Sequence, residues 1–326
     1  MKKTFLIFLA LYLSIPLISA EETKESESVK NFNIRVFSNS PIQNIEMKTM
    51  VNGEQKGKEV SYDANPYANA GISASYKWLG FTYSRAVGSL KDENKFGKTK
   101  ANDYQFYLYQ KHFGADIFYQ NYSGYYLKNP SDFGYKEGDP ETIRSDVKVR
   151  NIGINVYYSF SDDFSLSECF KQMENNYKSS GSPLVSISVN EFKISGDSSL
   201  IPESVQADYG DFADYRGGRY KSISAGGGYA YLKTYPNNLY ASAALMAAVG
   251  YMNSKENIKI REVQSHSLAI NVNLKLSAGY SSEYLYAGLT AFGFLNSTSK
   301  SSDKDRTCTD ISCMGGMVEL FAGIRF

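Results

Sequence analysis

Two histidines, three cysteines and a charged pair near the C-terminus carry the most obvious chemistry in this 326-residue chain. His266 lies between Ser265 and Ser267, and a lipid hydrolase needs a nucleophilic serine and a base within hydrogen-bond reach. Neighbours on an extended strand point to opposite faces, so this Ser and His do not meet. His112 falls in a tight turn with Phe113 and Gly114. Glu319 and Arg325 mimic a paired acid and base, although two opposite charges on the inner wall of a narrow closed sheet more often neutralise each other. No glycine-rich stretch has phosphate-loop spacing, and Gly226, Gly227 and Gly228 read instead as a close approach of a neighbouring backbone or a plug. Catalysis is therefore disfavoured, and no cofactor or metal is expected.

The cysteines suggest structure more than chemistry. Cys308 and Cys313 flank Thr309–Asp310–Ile311–Ser312 and predict a disulfide at the tip of an external loop, with two free thiols as the alternative. A metal is disfavoured there because no histidine or further cysteine lies nearby. Cys169 is left as a packed thiol.

The elements that would position these residues are strands. The last ten residues alternate: Val318, Leu320, Ala322, Ile324 and Phe326 on one face, Glu319, Gly323 and Arg325 on the other. An apolar stripe opposite charges, ending on a C-terminal Phe, fits the closing strand of an outer-membrane barrel, with Phe326 as the end that the barrel-assembly machinery reads. From Leu268 to Tyr280 the apolar residues again alternate, here with Ala269, Asn271, Asn273, Lys275, Ser277 and Gly279. That run is long for a sandwich strand and suits a tilted membrane span. Similar alternation recurs around residues 67–76, 147–160 and 183–196, giving about twelve segments, the even number of a closed single-chain barrel. The expected fold is thus an all-β, closed, antiparallel up-and-down transmembrane barrel.

Loop lengths set its orientation. Tight turns near 76–78, 112–114, 236–238 and 281–283 alternate with longer polar connections near 52–66, 88–100, 128–146, 197–220, 254–264 and 298–313, which predicts short periplasmic turns and long external loops. Lys2 and Lys3 precede an apolar run from Phe5 to Leu17, and Ala20 is a small residue before Glu21. Residues 1–20 are expected to be a cleaved signal peptide and residues 21–326 the outer-membrane barrel. The formal charge of +1 gives no field to collect nucleic acid. The 27 Tyr and 19 Phe beside a single Trp suit aromatic girdles at two membrane interfaces.

One periplasmic connection, 161–181, breaks the pattern. Leu166, Cys169, Phe170, Met173 and Tyr177 recur at helical spacing. They predict a short helix under or partly inside the barrel mouth, or alternatively a gate or partner-docking helix.

Several stretches in order carry a resemblance: Tyr67–Gly80, Gly97–Lys100 leading to Phe118–Leu127, Val149–Gly153, and Phe192–Pro202. They resemble the family known as domain of unknown function 4421, whose members resemble outer-membrane barrels of Bacteroides-type bacteria. The resemblance implies fold and location and no activity.

Asp116, Gln120, Asn271, Asn273, Lys275, Glu319 and Arg325 fall on polar faces and are the expected lumen-facing residues. Three functions follow: a pore or small-solute binding barrel, a structural or surface-interaction barrel without conductance, and, remotely, a lipid hydrolase. The expected partners are the lipid bilayer of the outer membrane, the barrel-assembly machinery and a small solute of unknown identity.

Overall fold

The structure is a computed structural model that describes residues 31–51, 54–173, 178–258, 261–300 and 308–326. The signal peptide expected at 1–20 and Tyr177 lie outside these residues. Thirteen strands form one antiparallel sheet: β1 (Phe32–Val51), β2 (Glu54–Ala64), β3 (Tyr67–Tyr76), β4 (Leu79–Ser89), β5 (Lys100–Tyr109), β6 (Phe113–Leu127), β7 (Ile143–Ser159), β8 (Ser180–Ser195), β9 (Tyr215–Tyr235), β10 (Leu239–Ile258), β11 (Arg261–Ser281), β12 (Leu285–Lys300) and β13 (Cys308–Arg325). β13 returns to β1 in continuous register from Asn33↔Arg325 to Met50↔Cys308, which closes the wall. Every strand except β2 belongs to the up-and-down order, so the fold is a closed transmembrane barrel of twelve strands with one extra strand.

That extra strand occupies a stretch expected as an external loop. β2 pairs with the far half of β1, from Asn44↔Asp63 to Val51↔Glu54, while β3 pairs with the near half. At the loop end, Tyr62, Asp63 and Ala64 also pair with Leu127, Tyr126 and Tyr125 of β6. β2 thereby replaces β3, β4 and β5 in the ring at that level. The handover is fixed by Asn65, whose N–H donates to Thr99 Oγ1 at 2.9 Å and whose Nδ2 donates to the Gly97 carbonyl at 2.6 Å. Thr99 in turn donates to the Gly124 carbonyl at 2.7 Å. Gly124 has φ 86°, and a Cβ there would fall 2.1 Å from Lys98 O, so only glycine fits.

Period-two alternation divides the wall into two surfaces. Val185, Ile187 and Val189 on β8, Leu245 and Val249 on β10, Leu268, Ile270, Leu274 and Leu276 on β11, and Val318 and Leu320 on β13 are exposed on the outside. A continuous exposed apolar band of this kind is unstable in water and at home in hydrocarbon. Among the described residues no helix is long and apolar enough to cross a membrane; the strands do so.

The external connection expected at 298–313 is shorter than the sequence suggested, because β12 runs to Lys300 and β13 begins at Cys308. Cys308 and Cys313 lie on β13, opposite Met50 and Ile45 of β1. The stretch is therefore strand where a loop tip is expected; the two cysteine side chains, and with them the expected disulfide, lie outside the described residues.

Candidate functional site

The barrel interior is filled at both ends. At the end where the termini and short turns lie, the connection after β7 enters the lumen. It forms α2 (Leu166–Lys171); α1 (Glu93–Phe96) is a single turn between β4 and β5. Ser165 caps α2, accepting from the Glu168 N–H, and the apolar face expected from the sequence becomes a plug. Phe164, Leu166, Cys169, Phe170 and Met173 are buried against Phe37, Tyr109, Leu232, Tyr240, Met246 and Phe321 of the wall. Leu166, Cys169 and Phe170 lie on the helix as their spacing predicts, while Met173 follows its end and the helix is only six residues long.

Wall donors anchor this plug through the carbonyls that a helix C-terminus leaves unpaired. Ser242 Oγ donates to Cys169 O at 3.2 Å, Lys275 Nζ donates to Phe170 O, and Arg325 Nη2 donates to Gln172 O at 2.8 Å. Two of the three are cations at the negative end of the helix dipole. Gln172 ends the helix in the left-handed region, at φ 52°, and its Oε1 accepts from Arg35 Nη1 at 3.3 Å. Arg35 also pairs with Glu319 through its Nη2 and lies 3.7 Å from the centre of the Phe321 ring.

At the opposite end, residues 198–214 fold inward. Leu200, Ile201, Val205, Tyr209 and Phe212 are buried against Ile45, Met47, Val60, Tyr62 and Ile194. The Tyr209 hydroxyl lies 3.0 and 2.9 Å from the carbonyl oxygens of Met47 and Lys58, and Tyr62 OH donates to Leu200 O at 2.9 Å. Arg144, paired through two hydrogen bonds of 2.8 Å with Asp146, also donates to Ser199 O at 2.7 Å.

Between the plugs lies a cavity of about 430 Å³, lined by Phe170 and Lys171 from one side and by Tyr122, Tyr125 and Tyr220 from the other. Its wall mixes amides with aromatic and thioether side chains, including Asn151, Asn273, Phe118, Phe192, Phe294 and Met246. Four lining acceptors, Asn39 Oδ1, Asn44 Oδ1, Asp103 Oδ1 and Asn190 Oδ1, are buried without a partner among the described residues. Buried polar atoms are normally satisfied, so these are positions for a water or a ligand donor.

Six of the seven residues expected in the lumen line this chamber: Asp116, Gln120, Asn271, Asn273, Lys275 and Glu319. Asp116 accepts from Gln105 Nε2 at 3.0 Å and from Tyr109 OH at 2.7 Å. Gln120 accepts from Asn151 Nδ2 at 3.0 Å, and Asn271 donates to Ser224 Oγ at 3.1 Å. Arg325 sits instead at the turn-end rim, donating to Ser282 O and, at 2.9 Å, to Ser281 Oγ. Glu319 and Arg325 are therefore not partners. Glu319 takes Arg35 and, at 3.4 Å, Asn39 Nδ2.

The two histidines lie away from the chamber. His112 Nδ1 is 2.9 Å from Ser159 O at the turn end, and His266 is on the outer surface of β11 beside Tyr251 and Asn253. Phe326 is exposed, with its ring centre 6.0 Å from that of Phe32. The glycine run expected to allow close approach does so against β10: a Cβ on Gly226 would fall 2.0 Å from Ala247 O, and one on Gly228 2.0 Å from Leu245 O.

Two features were missed in the sequence. Arg35 was signalled by its place between Asn33, Phe37 and Asn39 on one face of β1, and the loop-end plug by five large apolar residues in a connection expected to be polar.

The sequence from residue 26 to 326 matches the family described as Domain of unknown function (DUF4421). The chain belongs to that family. No curated protein matches the DUF4421 chain. Among solved structures it is similar to the outer membrane protease OmpT from Escherichia coli, with TM-score 0.42 and 6% identity over 93% of this chain and 100% of that one. It is also similar to the translocator domain of autotransporter NalP from Neisseria meningitidis, with TM-score 0.29 and 10% identity over 100% and 97%. A Pseudomonas aeruginosa FadL homologue gives TM-score 0.27 and 9% identity over 91% and 90%. At this distance nothing of what those proteins bind or do is carried to the DUF4421 chain.

Proposed function

We propose that this is an outer-membrane barrel, with its turns in the periplasm and its loops outside, that holds a small amphipathic solute in the central chamber and passes it when the α2 plug and the inward-folded residues 198–214 move. The chamber itself carries the reading. Its volume falls within the range of small-molecule sites, its aromatic and thioether side chains suit an apolar moiety, and its four unpartnered acceptors suit hydroxyl or amine donors. The plug is held by three contacts to carbonyl oxygens and an apolar face, an arrangement that leaves without breaking a covalent bond. A non-enzymatic role is part of the proposal; it is supported by the position of both histidines outside the chamber.

Conductance in planar bilayers tests it. The wild type should be closed or nearly so, and a form in which residues 162–178 and residues 198–214 are each replaced by a short Gly–Ser turn should give stable channels and speed liposome swelling in arabinose. Silence of both forms, with the heat-modifiable migration of a folded barrel retained, would leave the structural barrel as the better reading.

A further inference from the structure

The outer surface of β7–β10 changes character within two rows of residues. Ile154, Val189, Ile223 and Tyr251 are register neighbours and form an apolar row that faces outward. Two residues nearer the loop end, the row reads Ile152, Glu191, Lys221 and Asn253. Two residues further, it reads Arg150, Lys193, Arg219 and Lys255, each directly opposite the next. Strands lie ~4.8 Å apart, so cations stand side by side in a line across the wall. Like charges directly opposite each other destabilise a sheet. One carboxylate lies among them: Glu191 is 3.4 Å from Arg150 Nη2, 3.7 Å from Arg219 Nε and 3.5 Å from Lys221 Nζ. Arg150, Arg219 and Lys221 thus share a single acid among the described residues, and each keeps about half of its side-chain surface exposed.

On the opposite side of the barrel the same border is of mixed sign, with Glu46 and Glu59 3.7 and 2.9 Å from Lys48. The basic row is therefore a local feature, set where the apolar band meets the water on the loop side.

We infer that this face binds the phosphorylated headgroup of a glycolipid in the leaflet at the loop end, with its acyl chains along Ile154, Val189 and Ile223. The occupant follows from complementarity: a row of guanidinium and ammonium groups suits phosphate oxygens, and an apolar row four residues beneath it, past the mixed row, suits chains anchored to the same molecule. A free anion would use the cations and leave the apolar row unread. The inference rests on the orientation proposed above and is independent of what the chamber holds.

The test is titration of the purified full barrel in detergent with bisphosphorylated lipid A, followed by native mass spectrometry. Dephosphorylated lipid A, phosphatidylcholine and inorganic phosphate provide the comparison arms. Bisphosphorylated lipid A should bind, dephosphorylated lipid A should bind at least tenfold more weakly, and Arg150→Gln/Lys193→Gln/Arg219→Gln should lose at least tenfold. Lys111→Gln, at the turn end, should bind like the wild type. Raising salt from 50 to 500 mM should weaken wild-type binding, which keeps the test decisive if the triple variant does not fold. Equal binding with and without phosphates, unchanged binding by the folded triple variant, or salt-independent binding overturns the inference. Inorganic phosphate competing at the affinity of lipid A would make this an anion site and overturn the lipid assignment. Bilayer conductance should be the same for the triple variant and the wild type, so failure here is distinct from failure of the chamber reading.

Discussion

Leu320 and Glu319 are neighbours on β13 with opposite fates, one 62% exposed on the outer wall and the other 8% exposed beside Arg35. Lysine at position 320 places a charge in hydrocarbon and is expected to cost about 2–4 kcal/mol near the bilayer middle. Equilibrium folding into liposomes in a urea series measures it; an unchanged midpoint would remove β13 from the membrane wall. Lysine at position 319 is not benign either, although a polar lumen position ordinarily tolerates charge. It would set an ammonium against the Arg35 guanidinium and strip Asn39 Nδ2 of its acceptor. Breaking a buried pair costs about 3–5 kcal/mol, and the wet chamber places the expected loss at the lower end. The same folding assay should show Glu319→Gln as the milder change, because the amide oxygen still accepts from Arg35.

At the scale of the element, α2 is a plug whose release can be read from a single atom. Burial pushes the Cys169 thiol up to about 12, so little thiolate exists at pH 8 and the side chain is sterically covered as well. With Cys308→Ser and Cys313→Ser as background, maleimide should label Cys169 very slowly in the wild type. Lys275→Met/Arg325→Gln removes two of the three anchors and should raise the rate by at least tenfold, while Lys111→Gln should not. Equal rates would mean that the apolar face alone holds the plug. A folded-state pKa above the unfolded one makes the neutral thiol the form that packs, so Cys169 supports the plug at neutral pH and does so less only as pH rises through the ordinary thiol range and beyond.

The plug also shows what the sequence reveals and where it stops. Leu166, Cys169, Phe170 and Met173 at helical spacing announced an apolar face that needed a partner. Lys275 and Arg325 were legible as inward residues from the two-residue period alone. Their partner was not, because contacts between a wall side chain and the carbonyls of a distant connection leave no local pattern. The loop-end plug is expected as an external loop for a different reason: Ile201, Val205, Tyr209 and Phe212 recur at helical spacing, but they lie among acidic and small residues in a long connection, and Gly210 at φ 53° interrupts the 3-10 helix Glu203–Phe212.

For the whole molecule, closure and orientation are separate matters. Closure is in the register: alternating strands fixed by an apolar outer face cannot slip by one residue without turning that face inward, and β13 meets β1 along its full length. Orientation follows from where the long connections gather. Glu137 is exposed in the connection between β6 and β7, and Asn237 is exposed in the tight turn between β9 and β10, where φ is 62°. Both side chains are exposed and so reachable by a reagent, and the left-handed φ at 237 adds a strain that the folding check would reveal. With the native cysteines replaced by serine, Glu137→Cys in intact cells should react with a membrane-impermeant maleimide, and Asn237→Cys should react only after the outer membrane is opened. Migration that shifts on heating should be the same in both, since a labelled but misfolded chain would report nothing about sidedness. Labelling of Asn237→Cys in intact cells, with Glu137→Cys protected, would invert the barrel. The basic row on β7–β10 would then face the periplasmic leaflet, where a lipid A headgroup is not available to it.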